Sequence, residues 1–103
     1  MYSVTVLYPN TPGSHFDFAY YRDRHVPMML QLLGDNVITH ELRRGLRQLD
    51  GSAAPYQCVL NTRVHCLERF AAVMQEHAEQ ALGDVPNYTN VSPLIQLDEV
   101  LTG

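Results

Sequence analysis

No run of apolar residues in this 103-residue chain approaches the ~20 needed to span a bilayer. Membrane insertion is therefore not expected. Basic charge is scarce: seven Lys and Arg stand against eleven Asp and Glu, for a net charge of −4. Arg43, Arg44 and Arg47 form the one basic cluster, and a solvated strand end accounts for it. No basic stripe exists to follow a phosphate backbone, so nucleic acid is not an expected partner. Cysteine is limited to Cys58 and Cys66, in neither metal nor redox spacing, which reads as two free thiols of a cytoplasmic protein. The chain opens directly into a strand pattern, so no signal peptide is expected. What is present is ordinary for a globule: 46% hydrophobic and 17% charged residues, enough for one domain with a modest core.

Met1 to Tyr8 alternates, with Tyr2, Val4, Val6 and Tyr8 on one side and Ser3, Thr5 and Leu7 on the other. That is a strand with one apolar face. Pro9 to Gly13 is a turn cluster. From Phe16 to Leu33 the residues Phe18, Tyr21, His25, Met28, Met29, Leu32 and Leu33 recur at spacings of three and four, an apolar stripe that includes one histidine. This predicts an amphipathic helix with Asp17 as its cap and Gly34 as its stop. Pro27 has no N–H and opposes the carbonyl four residues back, so the helix is expected to kink or break just after His25, or to start a second segment there.

Val37 to Leu46 alternates again, with Ile38, His40, Leu42 and Leu46 sharing a side. After the Asp50-Gly51-Ser52 loop, Tyr56 to Val64 forms a third strand, and the two should pair as an antiparallel hairpin. Leu67 to Leu82 reads as a second helix with His77 on its apolar stripe, ended by Gly83. A polar loop from Asp84 to Asn90 holds Tyr88, and Val91 to Leu101 is the last strand. The order β-α-β-β-α-β predicts an α+β, ferredoxin-like antiparallel sheet with both helices on one face. The other face, expected to carry Leu7, Val59, Ile95 and Leu97 among Thr5, Asn61 and Gln57, calls for cover. Two sheets packed across a two-fold axis, a homodimeric α+β barrel, would supply it.

Four segments together resemble the ethyl tert-butyl ether degradation (EthD) family. They are Val4-Thr5-Val6-Leu7-Tyr8-Pro9; Phe16-Asp17 leading to Tyr20-Tyr21 and His25-Val26-Pro27; His77-Ala78; and Val85-Pro86-Asn87-Tyr88-Thr89-Asn90. The resemblance spans essentially the whole chain. It implies a dimeric α+β barrel, in a family named for a protein encoded beside a cytochrome P450 system that attacks an ether. Related barrels include cofactor-free monooxygenases, a muconolactone isomerase and haem-degrading enzymes; the absence of tryptophan weakens the last reading here. Fold alone does not choose among such chemistries.

Strand parity places Tyr8 and His40 on the helix side of the sheet, and helical parity turns His25 and His77 toward it. A histidine moves protons near pH 7 with little tuning. His25 is the first candidate for a general acid or base and His77 the second; each could equally be a packed structural residue. His40, Tyr8, Tyr21, Met29, Asn87 and Tyr88 are candidates for binding a small apolar or aromatic ligand. Helix spacing and neighbouring acids do not favour a metal site. The expectation is a cofactor-free enzyme of oxidoreductase or lyase type, or else a non-catalytic binder accessory to an oxygenase system.

Overall fold

A computed structural model describes residues 1–103. Its elements are strand β1 (Tyr2–Pro9), helix α1 (Phe18–Tyr20), a π-helical turn (Tyr21–His25), helix α2 (Val26–Leu33), strand β2 (Val37–Arg44), strand β3 (Tyr56–Val64), helices α3 (Leu67–Glu76) and α4 (Ala78–Gly83), and strand β4 (Leu94–Glu99). Short 3-10 turns at Gly34–Asn36 and Val85–Asn87 lead toward β2 and β4. The four strands form one antiparallel sheet in the order β2-β3-β1-β4. The α+β, ferredoxin-like architecture is as the sequence predicts. No helix is long and apolar enough to cross a membrane.

The first helix begins where its cap predicts: the Asp17 carboxylate accepts from the Tyr20 N–H at 3.0 Å. Pro27 neither breaks nor ends the helical run. The backbone stays right-handed helical from Tyr20 through Val26, and the Val26 N–H bonds to the Tyr21 carbonyl, five residues back. The wider π turn inserts one residue and lets the chain pass the proline, which sits in the first turn of α2. Gly34, at φ 60, closes the run.

The pairing registers correct two expectations about faces. Val37 pairs with Val64 while Thr39 pairs with Arg63, so Ile38 is bulged out of the ladder. The bulge turns Val37 to the helix side, against Val64, and leaves Ile38 exposed. In β4, Ile95 pairs with Val6 and Leu97 with Val4, so both belong to the helix side rather than the open face. They remain 41% and 49% exposed because the helices stop short of this edge. The open face is correspondingly polar at its centre: Asn61 donates to the Thr5 hydroxyl (2.7 Å), which donates to Asp98 (2.5 Å). The last strand starts at Leu94 rather than Val91, and the hairpin strand ends at Arg44, with Leu46 exposed.

The second helix is interrupted. His77, at φ −114 and ψ 28, closes α3 and opens α4. Two core clusters lie between helices and sheet. One joins Tyr8, Tyr21, Val26, Cys58, Leu60 and Tyr88; the other joins Val4, Leu33, Val64 and Phe70.

Candidate active site

A cavity of about 60 Å³ lies where the two clusters meet, lined by members of both. Tyr8, Tyr21, His25 and Tyr88 form its aromatic end, and Leu82 and Ile95, both exposed, belong to its rim near β4. None of its lining residues is an acid, a lysine or an arginine.

The π turn sets the position of His25. Its ring stacks on Tyr21 at 5.2 Å between centroids and leans on Tyr88 at 4.8 Å. The residue is 6% exposed. Its Nδ1 pairs with Oδ2 of Asp84 at 2.8 Å. The other carboxylate oxygen accepts from the Tyr20 hydroxyl (2.7 Å) and from the Asn87 side-chain amide (2.9 Å). Burial pushes the His25 pKa down, and the hydrogen bond and charge of Asp84 oppose it incompletely. For Asp84, burial works to raise the carboxyl, but the hydrogen bonds from Asn87, Tyr20 and His25 outweigh it and hold the group below the usual carboxylate range. At neutral pH the pair is thus carboxylate and neutral imidazole. A carboxylate can only accept, so the imidazole proton sits on Nδ1 and the lone pair on Nε2. Nε2 makes no hydrogen bond, and no buried side-chain nitrogen lacks a partner, so Nε2 keeps some accessible surface; the residue itself lines the cavity.

The loop carrying Asp84 is held by its neighbours. The Asp17 N–H donates to the Tyr88 carbonyl (2.8 Å), the Thr89 hydroxyl to the His15 carbonyl (2.7 Å), and the His15 N–H to Asn90 (3.0 Å). Phe16 and Thr89 form an isolated antiparallel bridge. The Asn87-Tyr88-Thr89-Asn90 run therefore stitches this loop to the segment preceding the first helix. That fixes Asp84 over His25.

Tyr8 and Tyr88 meet hydroxyl to hydroxyl at 2.7 Å, both buried. Burial raises Tyr8, Tyr21 and Tyr88 above the ordinary phenol range, so all three are neutral hydrogen-bond donors near pH 7. Cys58, fully buried beneath them, has its thiol pushed up to about 12 by burial and is no nucleophile.

Of the residues predicted from sequence, the structure brings together His25, Tyr8, Tyr21, Met29 and Tyr88 around one cavity. It does not bring His77 or His40 there. His77 sits at the helix junction beside Glu76, and the bulged strand leaves His40 on an uncovered edge, exposed although its parity matches Thr62. Asn87 holds Asp84 and does not line the cavity. Asp84 was missed by sequence reasoning, and Tyr20 was seen only as part of the Phe16-to-Pro27 segment, without its bond to Asp84. Asp84 lies 59 residues from His25, in a loop whose spacing to the helix carries no signal.

Structural comparison finds an EthD-like protein from Ralstonia eutropha JMP134 that is 35% identical, with a TM-score of 0.92 over 98% of this chain and 92% of that one. An ethyl tert-butyl ether degradation family protein from Bacillus halodurans C-125 is 12% identical, with a TM-score of 0.67 over 98% and 99% of the two chains. HapK from Hahella chejuensis is 17% identical, with a TM-score of 0.58 over 100% and 96% of the two chains; these two share the fold. No family model and no curated protein matches the sequence.

Proposed function

The chain belongs to the EthD-like family, and from that premise we propose that it is a small acid–base enzyme acting on an apolar molecule held between helices and sheet. The observation that carries this reading is the His25–Asp84 pair, 2.8 Å apart, with Nε2 free of any hydrogen bond in a residue that lines an apolar cavity. His25 Nε2 takes a proton from the bound molecule. The Asp84 carboxylate steadies the imidazolium that forms, and Tyr20 and Asn87 hold the carboxylate in place. Asp84 is a positioning residue: it acts through His25. Tyr21 and Met29 supply apolar walls. Proton transfer of this kind serves a lyase, an isomerase or the activation of a substrate toward oxygen. The cytoplasm is the compartment in which the free Cys58 and Cys66 stay reduced.

We also propose that the working form is a homodimer. The sheet has one face without helices, and on it Leu7, Val59 and Leu94 form an apolar row beside the polar centre. Native mass spectrometry should give twice the chain mass; a clean monomer would refute it.

The test of the acid–base reading is to recover the small molecule bound to freshly purified protein, and to compare its conversion by wild type and His25→Gln. Conversion lost in the variant supports the reading. Full turnover by His25→Gln defeats it. Saturable binding without conversion by wild type would instead mark a carrier, the role suggested by the accessory setting of an ether-degradation system.

A further inference from the structure

The cavity's polar chemistry is not exhausted by His25. We propose that the Tyr8–Tyr88 hydroxyl pair is an oxyanion-binding group, and that the ligand is an uncharged, enolisable carbonyl compound. This rests on the acid–base reading of His25 and names its substrate class.

Two hydroxyls carry two hydrogens, and their mutual 2.7 Å bond uses one. The Tyr88 hydroxyl makes no other hydrogen bond, and the only other hydroxyl beside that of Tyr8 belongs to Tyr21. The Tyr21 hydroxyl lies beside Tyr8 and interacts with it. Adding Tyr21 to the row leaves the count unchanged, because a row of hydroxyls has one more hydrogen than internal bonds. One O–H therefore remains to donate, among side chains that all line the same cavity. An unspent donor in an apolar, buried place is costly unless a ligand accepts from it.

The lining then restricts the acceptor. No cation faces the cavity, so a carboxylate or phosphate would enter without a partner charge. A carbonyl oxygen is a neutral acceptor and enters at lower cost. His25 contributes a base at the same end, its ring 4.8 Å from that of Tyr88. A base and a neutral O–H donor bordering one apolar space suit proton removal beside a carbonyl. Nε2 takes the α-proton; the C–H pair becomes the new C=C bond; the carbonyl π pair moves to oxygen. The oxyanion accepts the tyrosine hydrogen bond, and the proton rests on imidazolium against Asp84. Returning the proton to carbon closes the cycle with no other reactant. Because burial keeps the tyrosines protonated, they stabilise the enolate by hydrogen bonding and do not exchange a proton with it.

The test is deuterium incorporation at the α-carbons of butan-2-one and phenylacetone in D₂O, followed by NMR with wild type, His25→Gln, Tyr8→Phe, Tyr88→Phe and the double phenylalanine variant. Wild type should label at least one ketone, and His25→Gln should lose the activity. The double variant should lower kcat by about 10²–10³-fold, the cost typical of losing an oxyanion donor, while KM moves far less. The single variants report which hydroxyl faces the ligand, and each guards against a double variant that fails to fold. Wild-type protein that labels neither ketone overturns the substrate class. Labelling lost in His25→Gln but unchanged in every tyrosine variant overturns the oxyanion assignment and leaves the acid–base reading standing. Labelling unchanged in His25→Gln overturns both.

Discussion

Replacing Asp84 by asparagine should invert the tautomer of His25. In the native site Oδ2 faces Nδ1–H of His25, while Oδ1 takes hydrogen bonds from Tyr20 and Asn87. An asparagine has one acceptor oxygen. If that oxygen keeps the two donors from Tyr20 and Asn87, its NH₂ must face His25, where a donor would meet a donor. The imidazole escapes by moving its proton to Nε2 and accepting at Nδ1. The base at the cavity wall is then gone although the ring has not moved. Two of the three hydrogen bonds to a charged acceptor become bonds to a neutral one, and the third reverses its direction. Charge-assisted bonds are worth about twice neutral ones, whereas a half-buried carboxylate also sheds its desolvation cost, so the net loss should be about 1–3 kcal/mol. For a domain of this size that is a fall in Tm of roughly 5–20 °C. In serine hydrolases the same exchange behind a catalytic histidine costs about 10⁴ in kcat by this route, and a loss of several orders of magnitude is expected here. Two-bond ¹H–¹⁵N correlation spectra of the His25 ring read the tautomer directly. Wild type should carry its proton on Nδ1 and the variant on Nε2. A wild-type ring protonated on Nε2 would refute the assignment of the base, whatever the variant does.

Acid should destabilise the fold through the same pair. His25 has its folded pKa depressed, so the unfolded chain binds its proton first; this contribution is full above about 6.5 and is lost as pH falls from there toward the folded value. Asp84, also depressed, adds stability that is present above the ordinary carboxylate range and lost as pH falls through its own folded value. Urea midpoints from pH 8 to pH 3 should therefore decline in two stages, and His25→Gln should flatten the upper one; an unaltered upper slope would contradict the burial argument. Asn36→Ala should cost about 2–4 kcal/mol, because the buried amide bonds both the N–H and the C=O of Cys66, at 2.9 Å each; a midpoint shift below half a kcal/mol would show those groups satisfied otherwise. Ala81→Leu should fill the cavity from α4 and weaken binding of an apolar probe such as toluene at least tenfold, at a stability change within about 3 kcal/mol. Unchanged affinity by calorimetry would place the ligand elsewhere.

The secondary structure was legible wherever apolar period and stop signals agreed. Tyr2 to Tyr8 and Tyr56 to Val64 alternate without fault, and Asp17 and Gly34 bracket the first helical run as their chemistry dictates. The misreadings come from single inserted residues. A bulge at Ile38 shifts parity by one, moving Val37 to the core without altering composition. The faces of β4 depend on its register against β1, which Val91 to Pro93, outside the strand, do not reveal. His77 fits an unbroken helical stripe by spacing, yet the backbone there leaves helical geometry. Pro27 was visible as a disturbance, but not the form it takes, because an inserted π residue and a kink answer the same missing N–H.

The site shows the same division more sharply. His25, Tyr8 and Tyr21 were reachable because each lies on a periodic element whose buried face can be counted. Asp84 was not, since it lies in a loop and its role depends on closure between residues 13–17 and 85–90. That closure is built from Tyr88, Thr89 and Asn90, whose backbone and side-chain bonds reach Asp17, His15 and Gly13. The two irregularities therefore act together. The π turn widens the helical course at Tyr21–His25, and the stitched loop sets Asp84 where the His25 ring arrives. If the turn relaxed to α-helical geometry, the ring would shift relative to Asp84. Pro27, whose ring opposes the regular α-helical course two residues later, works against that relaxation. A proline that looks like a fault in the helix is thus consistent with the placement of the base, and Pro27→Ala tests the link: loss of the Nδ1–H pairing by ¹⁵N NMR, with helix content unchanged by circular dichroism, is the outcome expected.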